Sequence, residues 1–155
     1  MPTCYMLIGI PGSGKSTWIT TQPFAWNKTV IASTDVFVDM EAKKQNKTYS
    51  EIFKETMPGA VSFMAKTVVN AVKTNKDIIW DQTSCTKVTR ANKFRMLPGY
   101  TVVGVVFRTP DQTELMRRLA SRPGKEIPNQ VLQSMIDSWE EPVKAEGFDK
   151  IIYVG

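Results

Sequence analysis

Residues 9–16, with the sequence GIPGSGKS, have the Gly-x-x-x-x-Gly-Lys-Ser spacing of a phosphate-binding loop. Gly12 and Gly14 allow the backbone to turn its N–H groups toward an anion. In such a loop Lys15 reaches the β- and γ-phosphates, and the hydroxyl of Ser16 binds Mg²⁺. The loop lies between an apolar run and a helix-compatible stretch, which is the context that the motif requires. We therefore predict that it binds a nucleoside triphosphate, rather than forming a glycine turn without a ligand.

The absence of histidine restricts which side chain can act as a general base. Without imidazole, a carboxylate is the preferred proton acceptor. Asp35 follows the apolar run Thr29–Ala32, and Asp81 follows Asp77–Trp80. Because ligands of open parallel sheets bind beyond the carboxyl ends of the strands, we expect both carboxylates near the phosphate loop. We predict that Asp35 accepts the proton of an attacking hydroxyl, and that Asp81 holds Mg²⁺ directly or through water. For each carboxylate, capping of the following helix is the alternative.

Positive charge is concentrated in one part of the chain. From Ser84 to Lys125 there are nine basic residues against two acidic ones, which gives this stretch a charge of +7 and the rest of the chain −2. A polyanion is the expected partner, although ATP alone could account for several of these charges. Arg118 and Arg122 are four residues apart and share a helix face, from which they are predicted to clamp a triphosphate. The loop Ser121–Pro128 contains two prolines and one glycine and is predicted to form a lid.

The elements that must position these residues follow from the alternation of two kinds of segment. The apolar, β-branched runs predict buried parallel strands at Cys4–Ile8, Thr29–Ala32, Asp77–Trp80, Tyr100–Phe107 and Lys150–Val154. Between them, helices are predicted at Ser16–Thr21, Val36–Lys44, Tyr49–Lys73, Thr86–Met96, Thr109–Ala120 and Asn129–Trp139, the third of them broken at Met57-Pro58-Gly59. This alternation indicates an α/β fold with a five-stranded parallel sheet, helices on both faces and a basic lid.

Length and composition set the remaining limits. The 155 residues, 42% of them apolar, fit one domain with a substantial core, so residues 1–155 are predicted to form a single domain. No segment approaches the ~20 consecutive apolar residues of a membrane helix, and no leader peptide is evident. We expect a soluble cytoplasmic protein that does not associate with membranes. Cys4 and Cys85 lack metal-ligand spacing and are expected to be free thiols.

Several stretches together resemble a known family over most of the chain. They are GIPGSGKSTW, ASTD, IIWDQTS followed by Arg90, SRPGKEIP, and EGFDKIIYV. They look like the P-loop polynucleotide kinases of the bacteriophage type and their close relatives. The resemblance implies that residues 1–155 form a single P-loop kinase domain. The resemblance implies transfer of the γ-phosphate of ATP, with Mg²⁺, to a nucleic-acid hydroxyl, most directly the 5′-OH end of a polynucleotide. If the protein is encoded by a phage, it would act in the cytoplasm of an infected host cell.

The resemblance, taken with the spacing, assigns roles to individual residues. The predicted catalytic residues are Asp35, Lys15 and Arg122. The predicted ATP-binding residues are Gly12, Ser13, Gly14, Lys15, Ser16, Thr17, Arg118 and Arg122. The predicted Mg²⁺ ligands are Ser16 and Asp81, with Asp81 binding directly or through water. The predicted acceptor-binding residues are Asp35, Gln82, Thr83 and Arg90.

Two departures from the family pattern leave the acceptor open. The phage enzyme has an arginine one helical turn after its catalytic aspartate, which holds the acceptor's 3′-phosphate, whereas this chain has Val38. Many relatives have asparagine where this chain has Ser84. Alternative acceptors are a hydroxymethyl pyrimidine within phage DNA, a free nucleoside or another small metabolite. A nucleotide-gated switch is a further alternative. The absence of the guanine-reading Asn-Lys-x-Asp motif counts against it. DNA versus RNA, and the oligomeric state, stay open at this point.

Overall fold

A single five-stranded sheet organises the chain, and the computed structural model describes all of residues 1–155. Its strands are β1 (Thr3–Ile8), β2 (Thr29–Ala32), β3 (Asp77–Trp80), β4 (Thr101–Phe107) and β5 (Lys150–Val154). Their order is β2-β3-β1-β4-β5, and every neighbouring pair is parallel. In the central register, Cys4 of β1 pairs with Ile78 on one side and with Val102 on the other.

Six α-helices connect the strands. They are α1 (Lys15–Thr21), α2 (Thr34–Gln45), α3 (Tyr49–Lys73), α4 (Lys87–Phe94), α5 (Gln112–Ala120) and α6 (Asn129–Asp137), with a 3₁₀ turn at Lys144–Glu146. Successive side chains of β1 point to opposite faces of the sheet, so Met6 and Leu7 enter different apolar clusters. Met64 of α3 joins the first cluster and Ile19 of α1 joins the second, which puts helices on both faces. The predicted α/β fold is therefore confirmed.

The predicted break in the third helix is wrong. α3 runs without interruption for 25 residues and contains Pro58 within it. A capping box between Thr48 and Glu51 fixes its start. Pro58 lies on the exposed side, where a lost backbone hydrogen bond can be replaced by water. The opposite side packs into the core through buried residues at helical spacing, namely Ile52, Ala60, Met64, Val68 and Ala71, so tertiary packing outweighs the local cost of the proline.

The expectation that every strand is buried holds in the centre of the sheet and not at its edge. β1 and β3 are almost fully buried, whereas no residue of β5 is. β5 pairs only with β4 and leaves its outer edge free. No helix of the chain combines the length and the apolar character needed to cross a membrane.

The strand order determines where a site can form. β3 lies between β2 and β1, so the segments that follow these three strands leave the sheet side by side. Backbone bonds join them: the N–H of Gly9 donates to the carbonyl of Thr83 at 3.0 Å, and the N–H of Asp81 donates to that of Ala32 at 2.9 Å. The phosphate loop and the segments containing Asp35 and Asp81 therefore meet at one edge.

Candidate active site

The loop between β1 and α1 has the backbone geometry of an anion cradle. Gly12 and Gly14 have φ values of 83° and 105°, which favour glycine strongly over any residue with a side chain. A Cβ on Gly12 would also lie 3.0 Å from a side-chain atom of Leu115, because α5 packs close behind the loop. α1 starts at Lys15 with Gly14 as its N-cap and without a side-chain cap, so no side chain covers its first N–H groups.

Lys15 extends across this loop. Its Nζ donates to the carbonyl of Gly9 at 2.7 Å and lies 3.5 Å from the carbonyl of Gln82, at the end of β3. Burial lowers the pKa of this ammonium, while the nearby carboxylate of Asp81 opposes that shift. The positive charge is thus held between the loop and the segment that follows β3, in a position with reduced access to water.

Asp35 lies in the first turn of α2 and does not cap it. Ser33 is the cap, and its hydroxyl accepts a hydrogen bond from the N–H of Asp35 at 3.1 Å. The capping alternative for Asp35 is therefore wrong. Its carboxylate instead accepts a hydrogen bond of 2.5 Å from the hydroxyl of Tyr49, the first residue of α3. Burial and this bond to Asp35 both raise the pKa of Tyr49, so the phenol stays protonated and is the donor.

Asp81 directly follows β3 and is not a helix cap either. The next helix, α4, is capped by Thr86, which corrects the capping alternative for Asp81 as well. Burial raises the pKa of the Asp81 carboxyl, and the charge of Lys15 opposes that effect. None of the four ion pairs of the chain includes this carboxylate. Asp81 and the hydroxyl of Ser16 line the same cleft and are hard oxygen ligands of the kind that Mg²⁺ takes.

No cluster of three or more metal-binding side chains is present. Mg²⁺ suits a site with one or two protein oxygens, because it usually completes its shell with substrate phosphates and water. The residues therefore fit a Mg²⁺ ion that arrives with a nucleotide, rather than one held by the protein alone.

Arg118 and Arg122 share one wall of the cleft, but the predicted shared helix face is wrong, because α5 ends at Ala120 and Arg122 lies in the loop that follows. Arg118 donates through Nη1 to the carbonyl of Gly12 at 3.1 Å and through Nε to Glu114 at 2.8 Å. Arg122 forms neither kind of bond and lines the cleft four residues later. Arg117 points away, with 69% of its side chain exposed, and pairs with Glu114.

The loop Ser121–Pro128, which is predicted to form a lid, is bonded to the start of α3. The N–H of Ser50 donates to the carbonyl of Gly124 at 3.0 Å, and the hydroxyl of Ser50 accepts from the N–H of Glu126 at 2.9 Å. Lys125 pairs with Asp39 at 3.1 Å, and its ammonium lies 4.8 Å from the centre of the Tyr49 ring. The lid therefore contacts the elements that carry Asp35 and its hydrogen-bond donor.

All these groups surround one open cleft of about 1430 Å³. This volume exceeds the ~300–1,000 Å³ typical of a pocket for one drug-sized ligand, so the cleft has room for a nucleotide and a second substrate. The sequence-predicted residues on its wall are Gly12, Gly14, Lys15, Ser16, Thr17, Asp35, Asp81, Gln82, Thr83, Arg118 and Arg122. Ser13 is buried within the loop, and its hydroxyl has no hydrogen-bond partner.

Arg90 is the exception among the predicted acceptor residues. Its side chain is 0% exposed, and it donates to both carboxylate oxygens of Glu146 and to the carbonyls of Ser84 and Glu140. It holds α4 to the segment before β5 and does not line the cleft. We therefore no longer include Arg90 among the acceptor-binding residues.

Three of the cleft residues that were not predicted from the sequence carry side chains suited to binding or positioning a substrate. Tyr49 and Lys93 line the cleft, and Lys125 of the lid does so as well. The two lysines belong to the basic stretch from Ser84 to Lys125. The charge of that stretch does not show that they line the cleft while Lys87 and Arg95 are exposed outside it. Tyr49 carries no motif, and only the packing of α3 against α2 brings it to Asp35.

Comparison with known proteins agrees with this architecture. Residues 5–142 match the model of a family described as AAA domain. A candidate kinase of Chloroflexus aurantiacus superposes with a TM-score of 0.71 at 16% identity, covering 99% of this chain and 84% of that one. A gluconokinase of Sinorhizobium meliloti gives 0.56 at 16%, covering 99% and 82%. The Pnkp1/Rnl/Hen1 RNA repair complex gives 0.63 at 22%, covering 88% of this chain and 43% of that one. Identities this low establish a shared P-loop kinase fold alone.

Proposed function

Because the chain belongs to the AAA domain family that its residues 5–142 match, and has a P-loop kinase fold, we propose that it transfers the γ-phosphate of ATP to the 5′-hydroxyl end of a polynucleotide. The observation that carries this proposal is the shared cleft. Lys15 of the phosphate loop and the carboxylate of Asp35 lie on its wall, and the cleft is larger than a nucleotide alone requires.

On the donor side, the protein positions the triphosphate and stabilises charge. The N–H groups of residues 12–16 surround the β-phosphate, and Lys15 follows the γ-phosphate as charge shifts in the transition state. Arg122 approaches the same phosphate from the lid. Ser16 and Asp81 would hold Mg²⁺, which supplies further neutralisation of the phosphate oxygens when it is bound.

On the acceptor side, Asp35 accepts the proton of the attacking hydroxyl. The Tyr49 hydroxyl occupies one carboxylate oxygen, Oδ1, and leaves the other for the acceptor. Tyr49 is thus a positioning residue, which restricts the rotation of the base. The absence of histidine from the chain supports Asp35, which lines the cleft, as the general base.

The charge of the cleft supports a polyanionic acceptor over a neutral one. Of nine basic residues in the stretch from Ser84 to Lys125, four line the cleft: Lys93, Arg118, Arg122 and Lys125. The two arginines are assigned to ATP. The two lysines remain available for a second, anionic substrate. A polynucleotide carries negative charge, whereas a free nucleoside does not, so these lysines favour a polynucleotide.

The decisive experiment is transfer of label from γ-labelled ATP to a set of acceptors. It would include 5′-OH DNA and RNA oligonucleotides, the same strands already phosphorylated at the 5′ end, duplex DNA with hydroxymethyl pyrimidines, free nucleosides and gluconate. We expect label only at the 5′ end of strands that carry a free hydroxyl. Label on the blocked strands or on the hydroxymethyl base would move the acceptor to an internal group. Label on gluconate or nucleosides alone would replace the nucleic acid with a small metabolite.

A further inference from the structure

Lys93, near the end of α4, is a buried cation that the phosphoryl-transfer chemistry above does not use. The residue is 8% exposed, and none of the four ion pairs of the chain includes it. Its ammonium lies 5.6 Å from the centre of the Trp80 ring, and this cation–π contact takes the place of an ion pair. Lysines are almost never buried unless they are paired, because an isolated charge is costly to remove from water.

The groups around this ammonium do not provide a compensating negative charge. It is faced by the thiol of Cys4 on β1, by the thiol of Cys85 after β3 and by the guanidinium of Arg90 on its own helix. Burial raises the pKa of both thiols, which keeps them neutral, and Arg90 is itself positive. Burial accordingly lowers the pKa of Lys93 to about 8, so the ammonium is still mostly protonated at neutral pH.

Lys93 nevertheless has access to the cleft, and a second unpartnered donor lies on the same wall. Lys93, Thr89 and Ser84 all line the cleft. Ser84 is 3% exposed, its Oγ has no hydrogen-bond partner, and its φ of 48° is uncommon for a residue other than glycine. Strained backbone and unsatisfied polar groups concentrate where a ligand completes the bonding.

On the side of α2, the lysine that lines the cleft is Lys125, and it is paired with Asp39. Val38, at the position where the resemblance predicts an arginine, is 0% exposed and packs in an apolar cluster with Ala42, Ile52 and Ala60. Apart from Lys15 and Arg122, which are assigned to ATP, Lys93 of α4 is the cation of the cleft that has no ion pair.

We propose that Lys93, with the Ser84 hydroxyl as a second donor, binds a phosphate of the acceptor, namely the phosphate on the 3′ side of the nucleoside whose 5′-hydroxyl reacts. This assignment rests on the proposed function, in which the acceptor is a polynucleotide whose anionic groups are phosphates. It makes Lys93 a specificity-determining residue that favours 3′-phosphorylated acceptors over bare nucleosides.

The test compares five proteins: the parent, Lys93→Met, Lys93→Arg, Ser84→Ala and Lys87→Met. Methionine keeps the length of the side chain and suits an apolar site, so the fold should be retained, which a thermal melt verifies. Lys87→Met removes the same charge from an exposed position of the same helix, outside the cleft. Two probes are used: a nucleoside 3′-phosphate, and the same nucleotide without its 5′-hydroxyl, which binds but cannot react.

Calorimetry with the unreactive nucleotide measures the site without relying on turnover. We expect Lys93→Met to weaken binding by at least ~10-fold, the size expected for a hydrogen bond to a charged group, and Ser84→Ala to weaken it less. Lys87→Met should bind as the parent does. Equal affinity of the parent and Lys93→Met would overturn the assignment, even if the enzyme phosphorylates polynucleotides. If polynucleotides are not phosphorylated, weakened binding would still support an anion site at Lys93 while the proposed function fails.

The dependence on pH provides a second readout. The nucleotide phosphate is a dianion throughout the range from pH 7 to 9.5, because its second pKa is about 6. In the parent, affinity should fall as the pH rises through about 8, where Lys93 loses its proton. Lys93→Arg stays charged and should remove this decline. A decline that persists unchanged in Lys93→Arg would contradict the proposal.

Discussion

The proposed donor half and the proposed acceptor half of the cleft are built in different ways. The donor half is one continuous segment, residues 9–17, whose geometry comes from two glycines with positive φ and a helix that starts at Lys15. The acceptor half joins separate segments: Asp35 at the start of α2, Tyr49 at the start of α3, and Ser84 and Lys93 around α4. A continuous segment keeps its geometry largely by itself, whereas the second arrangement depends on how helices pack. A different packing of the helices can therefore alter which acceptor is bound, while the donor site keeps its geometry.

The largest effect is expected at Asp35, the proposed base of the acceptor half. Asp35→Asn keeps the shape of the side chain and its capacity to accept from Tyr49, but it cannot take a proton near neutral pH. We expect kcat to fall by roughly 10² to 10⁴, the range for removal of a general base, with an unchanged KM for ATP. Steady-state kinetics and a thermal melt measure both quantities.

The melt separates catalysis from stability in this variant. Because Ser33 and not Asp35 caps α2, the midpoint of unfolding should stay close to that of the parent. Asp39→Asn alters an exposed carboxylate on the same helix and should keep most of the activity. A stable Asp35→Asn enzyme with normal turnover would require another base.

Next in size is the loss of the donor cation. Lys15→Met removes the charge that the fold holds between the carbonyls of Gly9 and Gln82. We expect kcat to fall by about 10² to 10³, as for other preorganised electrostatic contacts. Hydrolysis of ATP without an acceptor should fall in parallel, because the defect lies in the donor half. A defect confined to acceptor transfer would contradict this division of the cleft.

The same difference explains what could be predicted from the sequence. The sheet, the helices and the phosphate loop follow from periodicity and from glycine spacing, which are local properties. Asp35 and Asp81 could be placed because they follow strands within three residues. Both capping alternatives failed, since Ser33 and Thr86 occupy the cap positions. Pro58 shows tertiary packing overriding a local signal in α3.

The roles of residues that depend on tertiary contacts could not be predicted from these local sequence patterns. Arg90 matched a family position, yet the approach of Glu146 and of two carbonyls from distant segments buries it. Lys93 is only one turn away on the same helix and reaches the cleft instead. Sequence spacing does not distinguish these two cations, because the difference comes from what packs against each of them.

A smaller effect is expected at the lid. Arg122→Ala should lower kcat by roughly 10-fold or more, the equivalent of one hydrogen bond to a charged group. Arg118→Ala should act mainly on the KM for ATP, because Arg118 contacts the carbonyl of Gly12 and so supports the loop. Arg117→Ala, an exposed arginine of the same helix, is the matched control and should be neutral. Equal, negligible effects of all three variants would make the lid arginines surface charges.

The smallest predicted effect is the most specific test of how the acceptor half is held together. Tyr49→Phe removes one hydroxyl, and with it the 2.5 Å bond to Oδ1 of Asp35. A net contribution of about 0.5–1.5 kcal/mol for such a bond corresponds to a fall in kcat of roughly 2- to 10-fold. The KM for ATP should not change, since the donor half does not contain this bond.

A matched control makes this small change interpretable. Tyr153→Phe removes a hydroxyl that donates to Glu141 at 2.6 Å, outside the main cleft, and should leave both constants unaltered. A purely structural role of Tyr49 would lower the melting temperature and leave kcat per folded molecule unchanged. A fall in kcat at constant stability would instead identify Tyr49 as the residue that orients the base. Since Lys125 of the lid lies over the same ring, that result would also connect the position of the lid to the geometry of Asp35.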